Sequence, residues 1–502
     1  PDGMLGTADD AAGGMLTNAM GNYYFSNLAP GKYYVVLPSS NFAAAGPAAA
    51  YQLSSTPTDA DDNNEDGDDN GVQMIGPGGM IMSPIIELAA GTEPVGETGQ
   101  GGTQDNADDD NGDMTVDFGL IPMMSVGSTV FADNLAGVNA TDNNGMQDAG
   151  EPGISGVAME LWSVGPDGTK GTGDDVKIEA GPDGILGTAD DGTGDELTDA
   201  SGNYFFSGIP EGIYYVKIQT SQFAVGSALA ATPLSSEDIP TTGGDNQTDG
   251  DDNGLQMGGQ GGMVMSPPFT LEAGIETHPE PGQGGMQDDN HPYADANGDM
   301  TIDFGFVPAV SVGSVVFADY DNDGVYEPQD LENGISGVVL ELFDLGVDGI
   351  KQADGTGDDV SIGTVTTGSD GVYQFSGLYE GQYYIKVQNS QFAGGGELNG
   401  FVSSTDIATS AADNVTDNDD NGVAMGIVGA ADYMVMSPVF TLTAGTEPTG
   451  LAEGGPGGTQ DDVQDSNGDM TQDFGFYPTL SLGSTVWVDN MPGLNATDND
   501  GM

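Results

Sequence analysis

In its aromatic phrases this chain alternates apolar and polar positions with period two, which predicts strands. Tyr204-x-Phe206 and Tyr214-x-Val216-x-Ile218 are separated by Gly208-Ile209-Pro210-Glu211-Gly212, a hairpin signal. The same phrase recurs as Tyr23-x-Phe25 with Tyr33-x-Val35, and as Tyr373-x-Phe375 with Tyr383-x-Ile385. Ser128–Ala132, Val157–Trp162, Met263–Leu271 and Met300–Phe306 are further strand candidates. No stretch keeps a 3.6-residue apolar period over three turns, and Gly and Pro punctuate the chain throughout. Short strands with turn signals between them predict an all-β protein built as sandwiches.

The pattern repeats. Asn-Gly-Asp-Met-Thr-x-Asp-Phe-Gly starts at Asn111, Asn297 and Asn467, and Ser-(Val/Leu)-Gly-Ser follows at Ser125, Ser311 and Ser481. These markers divide the chain into residues 1–126, the C-terminal part of a repeat; 127–312 and 313–482, two complete repeats; and 483–502, the N-terminal part of another. The first complete repeat is longer because Gly165–Ala180 and Gly181–Glu196 are two versions of one acidic segment, present once in the second repeat near Gly346–Val360. The period suits one domain per repeat rather than a solenoid turn. Short Pro-containing joints such as Val307-Pro308-Ala309-Val310 lead us to expect an elongated rod rather than loosely tethered beads.

Charge sharpens this picture. Eighty Asp and Glu stand against 6 Lys and Arg, a formal charge of −74. Phosphate binding needs clustered cations, so nucleic acid is excluded as a partner, and an anionic membrane surface repels the chain. No apolar run approaches the ~18 residues of a membrane helix, so no membrane insertion is expected in this window. A leader or anchor is expected outside it. Cysteine is absent, which removes disulfides and thiolate metal sites.

The acid is concentrated in loops with one-residue spacing. Asp319, Asp321 and Asp323 precede Gly324, with Glu327 and Asp330 following, so oxygen ligands fall at positions 1, 3, 5, 9 and 12 of a calcium loop with Gly at 6. The preceding repeat has Ala140 at position 1 but keeps Asp142, Asn144, Gly145, Asp148 and Glu151; the last fragment keeps Asp498 and Asp500. A second loop type contributes Asp66, Asp68 and Asn70; Asp249, Asp251 and Asn253; and Asp417, Asp419 and Asn421. A third contributes Asp109, Asn111 and Asp113; Asp295, Asn297 and Asp299; and Asp465, Asn467 and Asp469. The duplicated acidic segments, with Asp174, Asp175, Asp183, Asp190 and Asp191, form a fourth. Asp, Asn and Gly are also ordinary turn residues. Their recurrence in register on a chain with so few cations favours Ca²⁺, each ion offsetting two charges of a self-repelling polyanion.

Other chemistry is thin. The Met-x-Met pairs at Met80, Met263 and Met434 read as core rather than copper ligands. His278 and His291 belong to one repeat only, and no nucleophile–base pair stands out, so no enzyme is expected. Sequons at Asn139, Asn246, Asn414 and Asn495 allow glycosylation on an exported chain.

Three runs resemble the B-like repeats of serine–aspartate-repeat surface adhesins: Asp148-Ala-Gly-Glu151-Pro-Gly-Ile-Ser-Gly-Val157, the stretch from Gly202 to Val216, and Asp303-Phe-Gly-Phe306. The resemblance implies a prealbumin-like, Greek-key β-sandwich, calcium in its loops with an EF-hand-like site at Asp319–Asp330, and tandem copies forming a stalk on an exported bacterial protein. Related collagen-adhesin domains carry a Lys–Asn isopeptide bond; the strand Gly313–Phe317 has no lysine, so none is expected. The combined expectation is an extracellular, calcium-stabilised stalk, surface fibre or matrix filament whose partners are further copies or repeats of itself. The alternative is an adhesin whose repeats bind a polysaccharide or another cell. That reading calls for exposed aromatics, yet Trp162 and Trp487 sit at different places in the repeat.

Overall fold

The computed structural model describes residues 14–43, 46–49, 51, 53–55, 67–74, 78–96, 109–134, 143–186, 189–236, 250–276, 297–346, 349–352, 357–404, 417–430, 432–449 and 465–487. Among them there are strands and short 3-10 turns and no α-helix. The chain divides into two compact units, Pro1–Pro308 and Ala309–Met502.

In the second unit, the strand Val310–Ala318 lies between Val372–Leu378 on one side and Phe474–Pro478 on the other, with Phe401–Ser403 beyond. The opposing sheet runs Val360–Thr366, Val339–Asp344, Gly381–Val387, Met434–Met436 and Val423–Met425, and Phe440–Leu442 also pairs with Gly381–Val387. Alternate residues of both sheets turn inward to one core that includes Val312, Val316, Leu340, Leu342, Tyr373, Ile385, Phe440, Phe474 and Phe476. Each such side chain, fully buried, contributes roughly 1.5–3 kcal/mol. The first strand and the last pair in parallel, with Val316 opposite Phe474 and Ala318 opposite Phe476.

The first unit holds an equivalent sandwich. Met124–Ala132 lies between Asn203–Ile209 and Phe304–Val307, with Leu234–Ser235 beyond. Val176–Ile178, Ala158–Ser163, Gly212–Ile218, Met263–Met265 and Leu255–Met257 build the other sheet. Phe304 and Phe306 again pair in parallel with Val130 and Ala132. Ahead of this sandwich, Gly31–Tyr33 pairs with Ile86–Leu88, Val36–Leu37 with Ile81–Met82, and Leu53–Ser54 with Leu120–Ile121.

The expected hairpins are not hairpins. Asn203–Ile209 pairs with Met124–Ala132 in one sheet, while Gly212–Ile218 pairs with Ala158–Ser163 in the other. Val372–Leu378 and Gly381–Val387 divide in the same way. A register shift between Ser207 and Ile209, with Gly208 at φ +75°, turns the chain, and Pro210 has no N–H to donate to a ladder. The aromatics of both strands therefore meet across the core, not side by side. The Met263–Leu271 run is likewise two strands, interrupted at Ser266-Pro267-Pro268.

The tyrosine that opens each aromatic phrase ties that phrase to the closing segment of its repeat. Tyr204 donates to the Ile302 carbonyl at 2.5 Å, Tyr373 to that of Gln472 at 2.5 Å, and Tyr23 to that of Val116 at 2.5 Å. Burial pushes the Tyr204 and Tyr373 hydroxyls well above their ordinary range, so they stay protonated donors.

Candidate metal centres

The strand Val310–Ala318 ends at Asp319, whose N–H donates to the Phe476 carbonyl at 2.9 Å and whose carboxylate is fully buried. That carboxylate accepts the N–H of Asn322 at 2.5 Å and of Gly324 at 2.9 Å, folding the following residues back over it. The turn needs left-handed backbone at Asn322 (φ +60°) and Gly324 (φ +80°), which these two residue types tolerate. As a result Asp319, Asp321 and Asp323 each offer a carboxylate oxygen within 4.8 Å of the others. Burial raises the Asp321 carboxyl above its usual range, and the charges of Asp323 and Asp319 raise it further. A dication relieves that repulsion and matches a set of hard oxygen donors.

Of the two later acids read from the spacing, Glu327 lies close enough to Asp330 and Asp323 for their charges to raise its carboxyl, after burial. Asp330 is exposed on the 3-10 turn Pro328–Asp330. Spacing alone overlooked Glu332. It is buried, its Oε1 accepts the Tyr320 N–H at 3.0 Å, and its Oε2 accepts the Glu327 N–H at 2.8 Å. Burial raises this carboxyl, opposed by those two amides, while Asp319 and Asp321 push it up again.

In the first complete repeat the strand ends at Asp133, which holds the place of Asp319. Asp133 donates its N–H to the Phe306 carbonyl at 3.0 Å, and its Oδ2 accepts the Gly145 N–H at 2.7 Å, as Asp319 does with Phe476 and Gly324. Burial pushes the Asp133 carboxyl up to about 6 against the pull of the Gly145, Asn144 and Asn143 amides. Asn144 donates to Asp148 at 2.8 Å, and Glu151 accepts the Asp148 N–H at 2.8 Å, the role of Glu332. The shared triplets Phe131-Ala132-Asp133 and Phe317-Ala318-Asp319 carried this signal, but inserted residues conceal it from a spacing count. Ala140, Asp142, Asp498 and Asp500 lie outside the described residues.

The second loop type braces the first. The Asp252 N–H donates to the Gly145 carbonyl at 2.8 Å and the Gln147 N–H to that of Gly250 at 2.7 Å. Asp420 and Gly324, at 2.8 Å, and Tyr326 and Asn418, at 2.8 Å, repeat the pair of bonds. Within this loop, Asn70, Asn253 and Asn421 accept the N–H groups of Asp117, Asp303 and Asp473 at 2.8, 2.8 and 2.6 Å. Asp251 and Asp419 are buried at the bridges to Met146 and Val325, and Asp68 and Asp251 each meet the Asn two residues on at 3.4 Å. Asp417 raises the already elevated carboxyl of fully buried Asp473, whose first cause is burial. Asp66 and Asp249 lie outside the described residues.

The carboxylates that hold this corner were not on the spacing-based list: Asp69, Asp252 and Asp420. Each accepts two glycine N–H groups, Gly71 and Gly119 at 2.9 and 3.0 Å, Gly254 and Gly305 at 2.7 and 3.1 Å, Gly422 and Gly475 at 2.8 and 2.9 Å. Ser235 and Ser236 add hydroxyl donors to Asp252 at 3.1 and 3.2 Å. Burial nevertheless pushes the Asp252 carboxyl up to about 8.

The third loop type uses its acids locally. Asp113, Asp299 and Asp469 each accept the N–H and the hydroxyl of the Thr two residues on, while Asn111, Asn297 and Asn467 accept the N–H of Gly91, Gly274 and Gly445 at 2.9 Å. Asp109 and Asp465 start 3-10 turns; their side chains, and Asp295, lie outside the described residues. In the fourth type, Asp175 accepts the N–H groups of Gly165, Gly171 and Thr172 and the hydroxyl of Tyr215. Asp183 turns onto the Ile185 N–H, and Asp190 accepts the Asp183 N–H at 3.3 Å. Among the described residues, three acidic ligand atoms converge only at Asp319, Asp321 and Asp323. His278, His291 and all four sequons fall outside them. Trp162 is partly covered, stacked on Tyr215 at 6.3 Å with Lys217 4.5 Å above its ring.

Residues 310–431 match the family model of the SdrD B-like domain. The chain is 26% identical to serine-aspartate repeat-containing protein F of Staphylococcus epidermidis over 431 residues, 85% of this chain and 17% of that protein. It is 25% identical to serine-aspartate repeat-containing protein D of Staphylococcus aureus (strain Newman) over 383 residues, 75% of this chain and 19% of the relative. It thus spans less than a fifth of the length of either. Among solved structures it is similar to GBS52, the minor pilin of Streptococcus agalactiae (11% identity, TM-score 0.20, 72% of this chain and all of that one). The shaft pilin SpaA of Lactobacillus rhamnosus GG gives 10% identity and a TM-score of 0.18 over the same shares. The resemblance read from the sequence motifs is borne out by the family match and by the two serine-aspartate repeat-containing relatives.

Proposed function

We propose that this chain, whose second complete repeat carries an SdrD B-like domain, is a section of a calcium-braced stalk at the cell surface, structural and not catalytic. The observation that carries the calcium reading is the convergence of Asp319, Asp321 and Asp323 at the point where the first strand of a repeat bonds to the last. An ion held by these carboxylates, with Glu332 behind them, ties the head of the loop to its tail. Through the amide bonds between Gly324 and Asp420 it also steadies the second loop and the buried Asp473 beneath it. Asp133, Asn144 and Glu151 supply the corresponding donors in the preceding repeat. Calcium neutralises part of the −74 charge that otherwise opposes compaction. Further copies of the chain are its partners, and association gives a fibre or filament. The test is thermal unfolding of residues 309–482 with excess calcium and with a chelator. A melting temperature that rises with calcium supports the reading, and one that ignores it overturns the bracing mechanism.

A further inference from the structure

The two complete repeats differ at one edge. In the second, Val360–Thr366 is a single strand along Val339–Asp344. In the first, the equivalent strand is split into Val176–Ile178 and Glu196–Leu197, and the segment between them leaves the large sheet for the small one. There Ile185 forms a parallel bridge with Ser207; the Leu186 N–H donates to the Ser207 carbonyl at 3.0 Å, and the Ser207 N–H to that of Gly184 at 2.9 Å. Leu186 packs against the core. Any side chain on Gly184 meets the Phe205 carbonyl oxygen at 2.0 Å, so the approach requires glycine. Ser207 is 0% exposed.

The second repeat keeps the receptor, with no occupant among the described residues. Ser376, the counterpart of Ser207, is exposed, and no strand among the described residues pairs with it from outside. The same register shift recurs between Phe375 and Leu378, and Gly377 holds φ +70° where Gly208 holds +75°. The edge is therefore already shaped for a strand. Its residues, Val372 to Leu378, carry no charge, which on a chain of −74 leaves a place where an acidic segment can lay uncharged residues without meeting an acid.

We propose that this edge is a docking site for a second copy of the chain, which supplies the segment Pro1–Asp10. That segment lies outside the described residues and repeats Pro182–Asp191 with a single difference, Met4 for Ile185. In sequence it therefore has the same glycine, Gly3, an apolar pair, Met4 and Leu5, and aspartates on both sides of them. The proposal rests on the reading of copies as partners and names the surface that joins them.

The test uses a fluorescent peptide of the Pro1–Asp10 sequence and the full chain in calcium buffer at moderate salt. Saturable binding is expected, lost when the leucine of the peptide is replaced by Asp and weakened at least about tenfold by Ser376→Pro, which removes the N–H that bonds the guest. Ser376 sits at the register shift, and an unchanged melting temperature will show that the variant folds. Absence of saturable binding, or equal binding of both peptides, overturns the proposal. Sedimentation separates the two readings: chains that associate but are not dissociated by excess peptide refute this edge and leave association standing, whereas chains that never associate refute both.

Discussion

Asp133 and Asp319 hold the same place at the end of the same strand, yet the residues that fold back over them come from different distances along the chain. In the second repeat the turn is immediate, and Asp321 and Asp323 join the head carboxylate within a few residues. In the first, more residues intervene before Asn144 and Gly145 donate their N–H groups to the Asp133 carboxylate. The comparison teaches that the strand end fixes the centre and the loop only has to reach it. It also predicts unequal ion sites: Asn144 stands where Asp323 does, with one less negative charge to attract the cation.

The largest effect expected is that of chelation. If calcium is present at about a thousand times its dissociation constant, binding contributes about 4 kcal/mol, which in a domain of this size is a loss of roughly 10 °C on chelation. Calorimetry of each repeat separately should show the larger loss in residues 309–482. An equal or greater loss in the first would reverse the ranking. Next in size are the head residues. Asp319→Ala strands the amides of Asn322 and Gly324 and should cost about 2–4 kcal/mol even without metal. Asp133→Ala should cost a comparable amount in its own repeat, read from urea midpoints in chelator. If Asp133→Ala is neutral there, the equivalence of the two strand ends is wrong.

A smaller effect concerns pH. Burial pushes Asp252 up to about 8, so across the interval from the usual carboxylate range to about 8 the folded chain holds a proton that the unfolded chain releases. Stability from this group therefore falls as pH rises through that interval, the reverse of acid denaturation. Metal-free first repeat should melt a few degrees higher at pH 5 than at pH 8, and Asp252→Asn should reduce that difference. A variant with the same slope as the parent would remove Asp252 as its source. The smallest effect is expected for Asp330→Ala. This exposed residue should change stability by no more than about 0.5 kcal/mol, and its calcium response should stay that of the parent. A lost response in titration would mark Asp330 as a calcium ligand.

Much of the fold was legible because period-two alternation reports which face of a strand is buried. It does not report which strand lies alongside, and for that reason Tyr204-x-Phe206 and Tyr214-x-Val216 read as neighbours when they belong to opposite sheets. The loop at Asp319 was legible because its three acids fall on alternate residues of one short stretch. Asp133 was not, since an insertion separates it from its partners, and Glu332 was missed because Asp330 filled the expected spacing. Asp69, Asp252 and Asp420 escaped for another reason. An aspartate among turn residues looks solvated, and only the fold reveals that paired glycine amides have drawn it inside.

The parallel pairing of Val310–Ala318 with Phe474–Pro478 has a consequence for a chain under traction. The polypeptide enters at the start of one strand and leaves from the finish of its neighbour, so a pull on both ends drags the two lengthwise past each other. Every rung between them must then fail at once instead of unzipping in turn, and the loop headed by Asp319 sits beside the rung nearest the exit.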